Sequence, residues 1–170
     1  MTEHEPSAWH ASIAEFLDGL GVDWALMGAL AANRYRATPR FTTDIDVMIA
    51  EADAAIEGLT SLGYSVEVIA DDSEPPHLVR ARNGDQLIDL LLPVVEYQRI
   101  ALQRSTDNVL TVEDVVIHKL IAWRPRDRDD VRSIIEAGAR FDMRYLDRWV
   151  DAWDLSERWA TFDDLRRSAD

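Results

Sequence analysis

Apolar positions near the start of the chain recur at helical spacing. Trp9, Ile13, Phe16, Leu17 and Leu20 fall on one side of a helix over residues 8 to 20, which Gly21 ends. Val22 to Met27 is short, mostly apolar and bounded by Gly21 and Gly28, the pattern of a buried strand that turns into a helix over Gly28 to Tyr35. Arg36 to Arg40, with Pro39, breaks that pattern and reads as a loop. Phe41 to Ala50 then alternates at its centre, with Ile45, Val47 and Ile49 on one side and Asp44, Asp46 and Met48 on the other. A helix over Ala54 to Leu62, with Asp53 as its N-cap, ends at Gly63, and Tyr64 to Ala70 forms the next strand before an acidic, turn-rich loop over Asp71 to Pro76. Leu78 to Arg82 and Gln86 to Leu92, separated by Asn83-Gly84-Asp85, carry the strongest hairpin signal. Val94 to Gln103 reads as helix and Val109 to Thr111 as a short strand. From Glu113 the period is helical, with breaks near Pro125, Gly138 and Ser156. The sum is an α/β fold: a small mixed sheet with flanking helices and a helical C-terminal region over 113–170, all in one domain over 1–170.

Composition narrows the chemistry more than the fold. At 170 residues the chain supports one sizeable core. It shows neither a leader-like segment nor an apolar run of the roughly 20 residues needed to cross a bilayer, so a soluble, cytoplasmic protein with no membrane partner is expected. With no cysteine, any metal ligand must be oxygen or histidine. The net charge of −14 opposes general binding to polyanions and favours cations, Mg²⁺ and polyamine-like substrates among them. Of the 18 basic residues only Lys119 is lysine, a hint that arginine does not serve at that position.

The acids in the apolar strands are the candidate chemistry. Residues two apart in a strand share a side, so Asp44 and Asp46 present two carboxylates together while Ile45 anchors the opposite face. Like charges so close are tolerated when a cation neutralises them, and Mg²⁺ takes a few carboxylates together with water and substrate phosphates. Asp89 stands inside the apolar run QLIDLLL, where a carboxylate needs a partner. The same metal is one candidate and an arginine such as Arg82 is the other. Gly28, at a strand-to-helix turn, lets backbone N–H groups approach an anion, although a simple tight turn explains it equally. Arg40 is placed to reach phosphate or to brace Asp44, and Thr43 to orient a carboxylate. In the run Arg124 to Asp130, Asp127 reads as an N-cap, and Asp130 as a group that orients Lys119 or an arginine. His118 has no second histidine at metal spacing, and Trp149 and Trp153 read as helical core.

The stretch WALMGALAANRYRATPRFTTDIDVMI, followed by LIDLLL and LTVEDVVIHKLIAWRPRDRDDVRSII, resembles the nucleotidyltransferase superfamily, in particular the small AbiEii-like families that include type IV toxin–antitoxin toxins. The resemblance covers about residues 22 to 137. It implies transfer of a nucleoside monophosphate from a nucleoside triphosphate. Asp44, Asp46 and Asp89 would bind two Mg²⁺ ions, with Mn²⁺ as the alternative; Gly28 and its neighbour Ala29, with Arg40, Thr43 and Lys119, would bind the nucleotide. Ala29 departs from the pattern, since a hydroxyl often follows the glycine. The acceptor stays open between tRNA, a protein and a small molecule, as does the existence of a cognate antitoxin. Two rivals stand beside this reading: a catalytically silent nucleotide-binding protein of the same fold, and an antitoxin-like interaction protein that needs no Mg²⁺.

Overall fold

A central strand, β2 (Ile45–Ile49), is the backbone of the protein: Val47, Met48 and Ile49 are all fully buried, as expected for a strand covered on both faces. It pairs antiparallel with β1 (Trp24–Leu26) on one side and parallel with β5 (Gln86–Leu91) on the other. Beyond β5 lie β4 (Leu78–Asn83) and β3 (Ser65–Ile69), both antiparallel to their neighbours, which completes a five-stranded sheet in the order β1-β2-β5-β4-β3. The computed structural model describes residues 8–72 and 74–169. The acidic loop after β3 therefore has Ser73 outside the described residues.

The sheet divides two cores. Helices α1 (Ala8–Gly19) and α3 (Asp53–Ser61) bury Ile13, Leu17 and Leu59 against Ile45, Val47, Ile49, Ile88 and Leu90. On the other face Ala25 and Met48 meet α2 (Gly28–Asn33), α4 (Glu96–Arg104), α5 (Val112–Ala122), α6 (Pro125–Glu136), α7 (Met143–Ala152), α8 (Ser156–Ala160) and α9 (Asp163–Ala169). Helix α5 is buried nearly all round and lies at the middle of this second core, with Val115, Val116, Ile117 and Leu120 almost wholly buried. Trp149 belongs to that core, while Trp153 lies at its edge, 39% exposed.

The expected order of helices and strands is found, with four local differences. The segment 109–111 forms no strand; Val109 makes only an isolated bridge to Leu26. Strand β2 starts at Ile45, not Phe41, because the Asn33 amide takes both backbone groups of Arg40, at 2.8 and 3.0 Å, and holds the incoming chain at the end of α2. Ala52, and not Asp53, is the residue that caps α3. Helix α6 begins at Pro125, which suits a first helical position, so Asp127 sits one turn inside instead of capping with its own backbone outside. No helix among the described residues is long and apolar enough to cross a membrane.

Candidate active site

Parallel pairing of β2 with β5 sets Asp46 directly beside Asp89, and antiparallel pairing of β5 with β4 sets Arg80 on the far side of Asp89. All three side chains leave the sheet on the side opposite Val47, Val79, Ile88 and Leu90, whose burial against α1 and α3 fixes that orientation. They form one wall of a cavity of about 190 Å³, which Asp44 and Thr42 extend from the chain entering β2. Ala29 lines it from α2. The opposite wall is basic: Lys119 from α5, Arg124 and Arg126 from the start of α6, and Arg40 from the loop before β2. A chain of net charge −14 thus concentrates five cations and three carboxylates around one small volume.

Asp46 is the least satisfied of these groups. It is partly buried, and its carboxylate receives no hydrogen bond or ion pair from any described residue. Burial pushes its carboxyl above the ordinary value, and the charges of Asp89 and Asp44 push the same way, against a smaller downward pull from Lys119. Gly28 stands immediately behind it with φ +63°, and a Cβ there would lie 2.0 Å from Asp46 Oδ2. The glycine is therefore required twice over, by its left-handed backbone and by the carboxylate packed on its Cα. Asp44 accepts a 3.2 Å hydrogen bond from Thr43 Oγ1, and Thr42, not Thr43, lines the cavity.

Asp89 is held differently. Arg80 donates from Nε and Nη2 to its two oxygens at 2.8 and 2.7 Å, a bidentate pair. The expected arginine partner, Arg82, is replaced by Arg80, because the register places Arg82 opposite Leu87. The hydrogen bonds and charge of Asp89 hold the Arg80 guanidinium above its ordinary pKa, with Glu67 and Asp46 adding to the effect. Among the described residues, no three acids or histidines stand as a ready metal-ligand cluster. The donor set nonetheless suits a hard cation: Asp44 and Asp46 would offer carboxylate oxygens on one wall, and Asp46 has no donor among the described residues. Asp89 stands beside them with both oxygens bonded to Arg80.

Lys119 is buried, not a solvent-exposed helical lysine. Its Nζ lies 3.1 Å from Asp127 and 2.7 Å from Asp130. Two features of the α5–α6 connection bring these groups together. Trp123 adopts a left-handed conformation, φ +53°, and Arg124 then starts α6, turning the first helical turn back onto Lys119. Asp127 accepts from the Arg124 backbone N–H at 3.1 Å and from Arg124 Nε at 2.6 Å. Asp130, fully buried, also binds Arg36, and it accepts from Arg40 Nε at 3.0 Å. Burial alone would raise both carboxyls; for Asp127 the Arg124 hydrogen bond and for Asp130 the Arg40 hydrogen bond, each followed by Lys119, outweigh it and hold them below the ordinary value. Asp130 thereby orients both Lys119 and Arg40, two of the residues expected to bind nucleotide. His118 points elsewhere, its Nδ1 2.8 Å from the Asp114 carbonyl, and burial lowers its pKa.

The five-stranded mixed sheet with its flanking helices is a fold of the nucleotidyltransferase type. Two solved structures carry that comparison. The antibiotic-resistance factor ANT(2'')-Ia aligns with a TM-score of 0.58 at 16% identity, over 94% of this chain and 95% of its own. An antigenic nucleotidyltransferase-like protein from Paracoccidioides brasiliensis aligns with a TM-score of 0.50 at 18% identity, over 92% and 89%. No protein-family model and no curated protein sequence matches the chain.

Proposed function

We propose that the protein is a metal-dependent nucleotidyltransferase that moves a nucleoside monophosphate from a nucleoside triphosphate to an acceptor. One observation carries the reading: the carboxylate of Asp46, without a donor among the described residues, faces, across a small cavity, a basic wall built around the chain's sole lysine. Asp44 and Asp46, joined by Asp89, would hold Mg²⁺, which supplies neutralisation of charge on the reacting phosphates. Lys119, Arg124 and Arg126 draw the β- and γ-phosphates to the opposite wall, and Arg40 sits beside them on Asp130. Gly28 and Ala29 bring the backbone of the first turn of α2 to the same place; with no hydroxyl at position 29, the basic wall takes a larger share of the binding. An acceptor oxygen or nitrogen then forms a bond to the α-phosphorus as the bond to pyrophosphate breaks. Asp89, on the acceptor side, would assist in taking the acceptor's proton.

The charge of −14 disfavours tRNA and favours a small or cationic acceptor. A toxin acting on a macromolecule, restrained by a cognate antitoxin, is the same chemistry with a different acceptor. Ala29 and the Asp89–Arg80 pair favour a second reading, a protein that binds nucleotide without transferring it. Calorimetric titration with each nucleoside triphosphate and Mg²⁺ tests the proposal. Binding in the micromolar range to at least one is expected, and no binding of any at millimolar concentration overturns both readings.

A further inference from the structure

The register of three strand pairs places four charged residues in a single row across the sheet: Glu67 on β3, Arg80 on β4, Asp89 on β5 and Asp46 on β2. Directly opposed residues share a face and stand about 5 Å apart between strands. Arg80 therefore has an acid on each side. Its fork is closed on Asp89, and among the described residues it makes no ion pair with Glu67. Arg82, two residues along the same strand, faces Ser65 and Leu87 and has no such choice.

The pair is not locked in. The Arg80 side chain is 38% exposed and that of Asp89 20%, so the guanidinium can leave without opening a cavity or stranding a buried charge. Glu67 is exposed one strand further out and offers a replacement partner on the same face.

We propose that Arg80 is a positioning residue that acts as the resident counter-ion of Asp89 and passes to Glu67 when a divalent cation takes that carboxylate. The proposal rests on the metal-site reading above. Without metal, the row reads acid, base, acid, acid, and Arg80 neutralises the acid that would otherwise repel Asp46. With metal, one cation replaces another at Asp89, and the released arginine is neutralised by Glu67 instead of being left beside a doubly charged ion. The metal binds against competition from Arg80, so the full carboxylate set forms only when metal is bound.

Binding of Mn²⁺ alone to the whole protein, followed by the loss of the free-ion electron paramagnetic resonance signal, tests this without any catalytic assay. Arg80→Gln is expected to bind Mn²⁺ about fivefold tighter than the native protein, the loss of one partly exposed competing pair. Arg80→Lys, which keeps the charge and loses the fork, falls between them, and guards against a folding defect in the glutamine variant. Glu67→Gln is expected to bind about twofold to threefold more weakly, by removing the receiving acid. In an Asp89→Asn background, Arg80→Gln should gain nothing. If the native protein binds Mn²⁺ and Arg80→Gln, with an unchanged thermal melt, binds it equally or more weakly, the proposal is overturned and the metal reading stands. If neither binds Mn²⁺ at millimolar concentration, the metal reading falls and takes the proposal with it.

Discussion

Replacing Asp46 by Asn removes one charge from a cluster of three acids and leaves the side-chain volume nearly unchanged. Asp46 has no donor among the described residues, so the substitution breaks no hydrogen bond. Its neighbour Asp89 stands opposite it on the adjacent strand, about 5 Å away. Two bare charges at that distance repel by roughly 3 kcal/mol at an effective dielectric constant near 20. Arg80 offsets part of this by closing on Asp89, and Lys119 offsets more, which leaves the cost of partial burial with the remaining repulsion from Asp89 and Asp44. A net gain in apo stability on the order of 1 kcal/mol follows, or roughly 2–4 °C in melting temperature for a chain of this size. The pH dependence fixes the cause. The Asp46 carboxyl is raised when folded, so its contribution to native stability is fully present below the ordinary value of 3.8 and is lost as pH rises through the folded value. The advantage of Asp46→Asn should accordingly be absent in acid and grow towards neutral pH. Calorimetric melts of both proteins in chelator across that range measure it. A variant less stable than the native protein at neutral pH, or a gain equally large below 3.8, refutes the reasoning.

Three other outcomes are expected. Gly28→Ala places a Cβ 2.0 Å from Asp46 Oδ2 on a backbone of φ +63°, so it should cost more than about 1–2 kcal/mol in urea unfolding, with only part restored by adding Asp46→Ala. Lys119→Met leaves the wholly buried Asp127 and Asp130 short of a cation and should destabilise the protein by about 3 kcal/mol, measured by the same unfolding. Asp89→Asn should reduce transfer far more than nucleotide binding, compared by label incorporation and calorimetry, because Asp89 is assigned to the acceptor side.

Much of the site was readable because β-strand geometry is regular. Alternation around Ile45 and Val47 puts Asp44 and Asp46 together, and an acid inside QLIDLLL demands a partner in any fold. The partner was readable too. Taking Gly84-Asp85 as a two-residue turn, with Gly84 at φ +59°, sets Asn83 opposite Gln86 and Arg80 opposite Asp89. Counting Asn83 as part of the turn shifts the register by one and sets Val79 opposite Asp89, which leaves the acid without an arginine. Lys119 was harder to place, because its burial depends on how α6 folds back over α5. That reversal turns on the left-handed Trp123, a conformation that a tryptophan does not advertise. Arg124 and Arg126 enter the cavity for the same reason and carried no local signal. The start of β2 was misjudged because Asn33, twelve residues earlier, captures the backbone of Arg40.

In the proposed reaction the cavity cleaves a nucleoside triphosphate between its α- and β-phosphates and passes the α-phosphate onward. Incubating the protein with Mg²⁺, a cell extract, and each nucleoside triphosphate labelled in turn at the α- or the γ-phosphate tests it in a single comparison. Label on an acceptor from the α-labelled donor only, release of pyrophosphate, and loss of both with Asp46→Asn are expected. Transfer from the γ-labelled donor, or α-label transfer that survives Asp46→Asn, would contradict it.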